Sequence, residues 1–215
     1  TPTDSSAASD VYKRQVTYMN YLAKQAGGLS DRMFINNPMQ SNRSRNWFEL
    51  DWLLYNFKFK HRFNEKTNLS FNLFGLDAER NTVGFRTNRV DQVDPLTERD
   101  LIRGNFNNHG LELKILRKYK INEKKGTFVL GGKYYRSKSL SKQGPGSEGS
   151  DADFNIYLDE FPNYSNQSNY IYPNKNFAFF GENVFYINER LSFTPGFRVE
   201  NIVTKSNGNY KKINL

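Results

Sequence analysis

Few residues in this chain have types and spacings suited to bond-making chemistry. His61 and His109 are its two histidines and cysteine is absent. A tetrahedral zinc site takes four N or S ligands, so two imidazoles do not build one. Neither histidine has a serine or aspartate at a spacing that reads as a nucleophile–base set. Gly144-x-Gly146 is not framed by a strand and a helix, so it is not a phosphate loop. Glu148, Asp151 and Asp153 supply oxygen donors beside glycine, as calcium sites do. They lack the twelve-residue pattern and its closing bidentate glutamate, and a solvated loop is the better reading. The chain reads as a binding or transport protein, with no enzyme, metal or cofactor expected.

The elements that must position any binding residue are strands. Asn64-Glu65-Lys66, Asn122-Glu123-Lys124 and Asn188-Glu189-Arg190 each interrupt two runs of alternating apolar and polar residues. Between these short polar turns lie long Gly/Asn/Ser/Asp-rich connections, roughly 24–43, 86–103 and 142–173. Short connections on one rim and long ones on the other describe an antiparallel up-and-down barrel wall of about seven strands. Tyr55, Phe57, Phe59 and Phe63 alternate with Asn56, Lys58, Lys60 and Arg62, but Phe48, Leu50 and Trp52 fall in the opposite phase. A bulge near Leu53-Leu54 is expected to make that switch, with a second slip at Leu73-Phe74 and a third irregularity at Pro195. On its apolar parity Trp52 reads as part of an interfacial aromatic girdle. Strand six, Asn176–Ile187, is apolar on both faces in places, and parity does not assign it.

Composition agrees. Apolar residues make up 37% of 215 and aromatics 15%, with 18 Phe and 13 Tyr, while mean hydropathy is −0.78. Many aromatics and few aliphatics suit strands with one greasy and one wet face. No run approaches the ~18 apolar residues of a membrane helix, which leaves a β-barrel open. The net charge of +9 raises polyanion binding, but the basic residues are scattered and several sit at strand ends, including Lys211 and Lys212. Solvated strand ends are favoured over a nucleic-acid groove. Residues 5–15, SSAASDVYKRQ, resemble a translated sequencing adapter. Residues 1–15 are therefore set apart as a non-native tail, with 16–215 as a partial barrel and both termini read as cuts.

Asn176–Thr204 resembles the late-barrel signature of TonB-dependent outer-membrane receptors, through Ala178, Phe179, Glu182 and Asn183, the turn, and Leu191 to Glu200. Gln25–Phe48, with Pro38, Gln40, Ser41 and Arg43 to Phe48, is similar to the ferric-dicitrate (FecA-like) branch. So are Phe74–Phe85 and Gly149 to Phe154. The resemblance implies a roughly 22-stranded transmembrane barrel in the bacterial outer membrane, with short periplasmic turns and long extracellular loops closing over a ferric chelate. It also implies TonB acting on a plug domain that this stretch does not contain, and contact with outer-membrane lipid or lipopolysaccharide.

An anionic chelate such as iron(III) dicitrate is best gripped by the planar fork of arginine near the outer mouth. Arg45, Arg80, Arg86 and Arg103 are the candidates for that role, chosen from a set that also holds Arg43, Arg89 and Arg136. Pairing with Asp51, Asp77, Glu79, Glu98 or Asp100 along the wall is the competing use of each. The alternative to an importer is a soluble or surface-attached β-protein that binds polyanions. Strand facing separates the two, because a soluble sheet must cover its apolar face and a barrel turns it to lipid.

Overall fold

The computed structural model describes residues 10–210; residues 5–9 of the adapter-like stretch and the Lys211-Lys212 pair lie outside them. Alternating side chains produce long strands: β1 (Asp10–Lys24), β2 (Trp47–Asn64), β3 (Thr67–Gly84), β4 (Asp100–Ile121), β5 (Lys124–Pro145) and β6 (Ser168–Tyr186). They pair in chain order, each antiparallel to the next. β7 (Ser192–Phe193), β8 (Gly196–Thr204) and β9 (Asn207–Tyr210) all pair β6. Their partners (Tyr186↔Ser192, Glu182↔Gly196, Ser168↔Tyr210) keep one register, so the three form a single interrupted seventh strand. Pro195 causes the first interruption by lacking an N–H. It introduces no bulge, and its carbonyl still accepts the Asn183 N–H at 2.9 Å.

The short turns all fall on one rim. Ile121 pairs Lys124, and Asn122 and Glu123 both have positive φ (47° and 65°), the geometry of a two-residue type I′ hairpin. The other two are closed by their asparagines. Asn64 Oδ1 accepts the Lys66 N–H and Asn188 Oδ1 the Arg190 N–H, both at 2.9 Å. The long connections 25–46, 85–99 and 146–167 gather on the opposite rim. The first holds an element not foreseen from sequence, the helix α1 (Asp31–Asn36), with Ser30 as its N-cap.

Neither bulge expected in β2 and β3 exists. The β1–β2 register is unbroken throughout, β2–β3 shifts only between Arg62 and Asn64, and β3–β4 runs unbroken from Thr67↔Arg117 to Gly84↔Asp100. The change of phase is therefore a change in the character of each face within a zone about two ladder rows deep across the sheet. On one face the rows run Phe57–Leu73–Leu111–Tyr134–Phe177 and Phe59–Phe71–Leu113–Gly132–Phe179–Val199. Above them the same face turns polar, through Asp51, Asp77, Glu79 and Arg136. The opposite face does the reverse, with Lys58, Lys60, Arg62 and Lys114 below and Leu50, Trp52, Leu54 and Phe106 above.

The lower apolar band is exposed: Leu113 at 45%, Phe179 at 40% and Phe197 at 51%. On β4 it runs from Leu111 to Ile121, ten steps of ~3.3 Å, or about 25 Å at the ~40° tilt of a barrel strand. Arg117, six steps below Leu111, interrupts the band a little below its middle, its long apolar stem lying along the surface. Tyr119 donates its hydroxyl to Asn183 Oδ1 at 3.0 Å, which satisfies an amide that would otherwise stand in the band. Each strand touches only its ladder neighbours, so no second sheet among the described residues covers this surface. Trp52 lies on the face opposite the band, with its Nε1 unpartnered, and does not belong to a girdle. β1 begins at Asp10, not Val16, because a ladder uses backbone groups that any non-proline stretch supplies. β6 likewise begins at Ser168, taking in part of the expected longest loop.

Candidate ligand cavity at the long-loop rim

Three arginines tie the long connections to the strand tops. Arg99 is fully buried; its guanidinium donates to the carbonyls of Ser147 (2.9 Å), Arg45 (3.1 Å) and Asp151 (2.7 Å) and to Ser147 Oγ (2.7 Å). Arg45 donates to both Asp94 oxygens at 2.9 and 2.5 Å and to the carbonyls of Thr97 and Glu148. Arg43 binds the carbonyls of Asn42, Gln92 and Arg89. The planar fork suits this task because loop backbone presents carbonyls in several directions and each buried one must be satisfied. Asn46 adds a two-way brace: its amide nitrogen donates to the Phe85 carbonyl and its oxygen accepts the Phe85 N–H. Gly84 permits that approach, since a Cβ there would meet Asn46 at 2.2 Å.

These clamps enclose one side of a polar cavity of about 620 Å³ lined by Gln25, Arg43, Arg86, Asn88, Asp100 and Gln143, among others. Asp100 and Gln143 stand on the face opposite the apolar band, at the top of β4 and β5. Tyr164, buried, donates its hydroxyl to Asp100 and receives Gln143 Nε2 at 3.2 Å. Burial first, and then the bond to the Asp100 carboxylate, push the Tyr164 phenol well above its ordinary pKa, so it remains a donor at any physiological pH. Arg86 makes no ion pair among the described residues and lines the opening. Amides, a free guanidinium and a held carboxylate suit a small, highly polar ligand bearing carboxylates.

The four arginines selected from the sequence do not come together. Arg86 is at the cavity. Arg80 lies on the same face lower down, its guanidinium 5.8 Å from the Phe106 ring centre and without a carboxylate partner among the described residues. Arg45 is buried with its donors used by Asp94 and loop carbonyls, so it holds the rim instead of facing the opening. Arg103 belongs to the band-bearing face, 3.9 Å from Glu79 and donating to the Phe154 carbonyl at 2.7 Å. The unforeseen residue is Arg99, whose partners lie 48 to 54 positions away.

The acidic loop is also used locally: Asp153 accepts the Asn155 N–H and the Tyr157 hydroxyl, and the Asp151 carbonyl serves Arg99. No group of three or more metal-ligating side chains occurs among the described residues. His61 meets Asp10 on β1, with its ring 6.2 Å from that of Phe59 and 4.4 Å from that of Phe63.

Burial would raise the Asp94 carboxyl, but the Arg45 guanidinium and the Leu96 N–H hold it below the usual range. A depressed folded-state pKa means the stabilisation is complete above the unfolded value, about 3.9, and is lost as pH falls through the lower one. Protection of the amides in residues 92–97 is therefore expected to be complete at pH 5 and to fall as pH drops below about 3.9. Asp94→Asn removes that acid-dependent step, so that these amides are already poorly protected at pH 5 and the difference from wild type disappears in acid.

No family model matches the chain, and no curated protein matches it significantly. Among solved structures the chain is similar to the crystal structure of the ferric citrate transporter FecA in its unliganded form. The TM-score is 0.71 at 16% identity, over 93% of this chain and 28% of that one. At that identity the likeness is one of fold, an antiparallel up-and-down barrel wall, and the chain spans little more than a quarter of the transporter's length.

Proposed function

We propose that the chain is an arc of an outer-membrane, TonB-dependent transporter that imports a ferric chelate, iron(III) dicitrate or a similarly anionic siderophore. In this reading residues 16–215 are barrel wall and 1–15 a non-native tail. The long loops cap the ligand, and TonB acts through a plug domain in another part of the protein. The observation that carries the reading is the uncovered apolar band, about 25 Å tall at barrel tilt, on one face of a sheet whose opposite face bears the polar cavity. A soluble polyanion binder is disfavoured because the basic residues divide between both faces. Lys58, Lys60 and Arg62 stand on one and Arg117, Arg136 and Lys138 on the other.

Arg86 is assigned direct ligand contact, with Arg80 along the path below it. Arg45 and Arg103 act by holding the loops. Loss of one charge-assisted, two-pronged contact costs about 1.5–3 kcal/mol, or roughly ten- to a hundredfold in affinity. Titration of the full-length protein with ferric citrate should thus show that weakening for Arg86→Ala and little change for Arg103→Ala. Equal affinity in wild type and Arg86→Ala would move the site elsewhere, and no binding at all would discard the substrate.

A further inference from the structure

Just above the apolar band, the band-bearing face divides by charge. On β2 and β3 it carries Asp51, Asp77 and Glu79. On β4 to β6 and the strand after them it carries His109, Arg136, Lys138, Lys175 and Lys205, and no carboxylate on those strands shares that face above the band. His109, Arg136 and Lys175 are successive partners in one ladder row, immediately above Leu111–Tyr134–Phe177. Lys138 stands one row higher, beside Pro173, whose carbonyl accepts the Lys205 N–H. Arg136, Lys138, Lys175 and Lys205 are exposed, and none of their side chains makes an ion pair or hydrogen bond among the described residues.

We infer that this patch is a docking site for the phosphorylated headgroup of an outer-leaflet lipid, an inference that rests on the membrane-barrel reading above. Height makes the choice of occupant. Headgroup regions extend about 5–8 Å beyond the hydrocarbon. Two strand residues rise ~6.6 Å, or about 5 Å at barrel tilt. The first two rows above the band therefore lie where lipid phosphates are, and the chelate cavity is on the other face. Strands are ~4.8 Å apart, so neighbouring cations can converge on one phosphate. Long stems lying along apolar surface with cationic heads at the interface are a low-cost arrangement. The acidic half of the same face, on β2 and β3, repels such a headgroup and confines it to β4–β6 and beyond.

The test uses the full-length protein in non-ionic detergent, titrated with a bisphosphorylated lipid A-type glycolipid and, separately, with phosphatidylcholine, with bound lipid read by native mass spectrometry. A surface cation contributes about fivefold to binding an anionic lipid, so Arg136→Gln/Lys138→Gln/Lys175→Gln is expected to weaken glycolipid binding on the order of a hundredfold. Arg136→Gln alone should weaken it about fivefold, and Asp77→Asn should not weaken it. Unchanged binding by the triple variant, equal binding of phosphatidylcholine, or full displacement by millimolar inorganic phosphate each overturns the inference. A nitroxide at Phe179→Cys, compared with one at Phe180→Cys on the opposite face, tests the underlying reading separately. If the Phe179 label does not sense lipid-dissolved oxygen, the membrane barrel itself fails. If it does and the triple variant still binds, only the headgroup site falls.

Discussion

Replacing Arg99 with methionine accelerates amide exchange across residues 146–154 by about a hundredfold while the ladder of β3, β4 and β5 stays protected. The side chain is completely shielded and holds the carbonyls of Arg45, Ser147 and Asp151 together. Methionine keeps most of the volume but leaves those acceptors facing a thioether. Each buried, unsatisfied carbonyl costs about 1–3 kcal/mol, and removing one partner of a buried charged network about 3–5 kcal/mol. Burial lowers the Arg99 pKa, and Asp151, 3.7 Å away, opposes it; the guanidinium stays protonated because arginine does so throughout the accessible range. Arg99→Lys retains the charge but supplies a compact ammonium in place of the fork, and an intermediate acceleration is expected. Exchange in 146–154 that matches wild type in both variants would show that the loop is held by Trp47, whose Nε1 donates to the Ser150 carbonyl, and by Arg103.

Arg99 also shows where sequence reading stops. Nothing in Thr97-Glu98-Arg99-Asp100 marks it as different from the other arginines of the rim. Its meaning comes from three segments brought together by strand pairing, at separations of about fifty residues. Arg45 had the charge and position of a ligand contact, but Asp94, 49 residues away, takes both prongs of its fork. The local features were readable because their physics is local: three asparagine turns, the period-two alternation below the switch, and the grouping of short and long connections.

The bulges expected at Leu53-Leu54 and Leu73-Phe74 came from a sound rule applied to the wrong boundary. A one-residue slip inverts every later side chain, but so does crossing from one solvent to another. In a single strand the two are indistinguishable. Across β2, β3, β4 and β5 the inversion on the band face falls within two ladder rows with the registers intact, and independent slips so close together in every strand would be a coincidence. A planar boundary produces it without one.

That boundary leads to the other large expected effect. Ile115→Arg places a guanidinium close to the middle of the band, between Leu69 and Leu130 on the neighbouring strands. Near the midplane of a bilayer such a charge on the outward face of a barrel costs about 2–4 kcal/mol. The fraction of full-length protein folding into lipid vesicles, read as the heat-modifiable gel band, should fall in keeping with a 30- to several-hundredfold drop in the equilibrium, roughly. Ser70→Arg, one residue-height away on the opposite face beside Lys60 and Lys114, should fold like wild type, since that surface already carries solvated cations. The contrast between two faces of one sheet is the informative quantity. Equal, mild effects would mean that neither face meets hydrocarbon. Equal, severe effects would mean that both are packed against protein. Only the one-sided result requires a wall with lipid behind it and water in front.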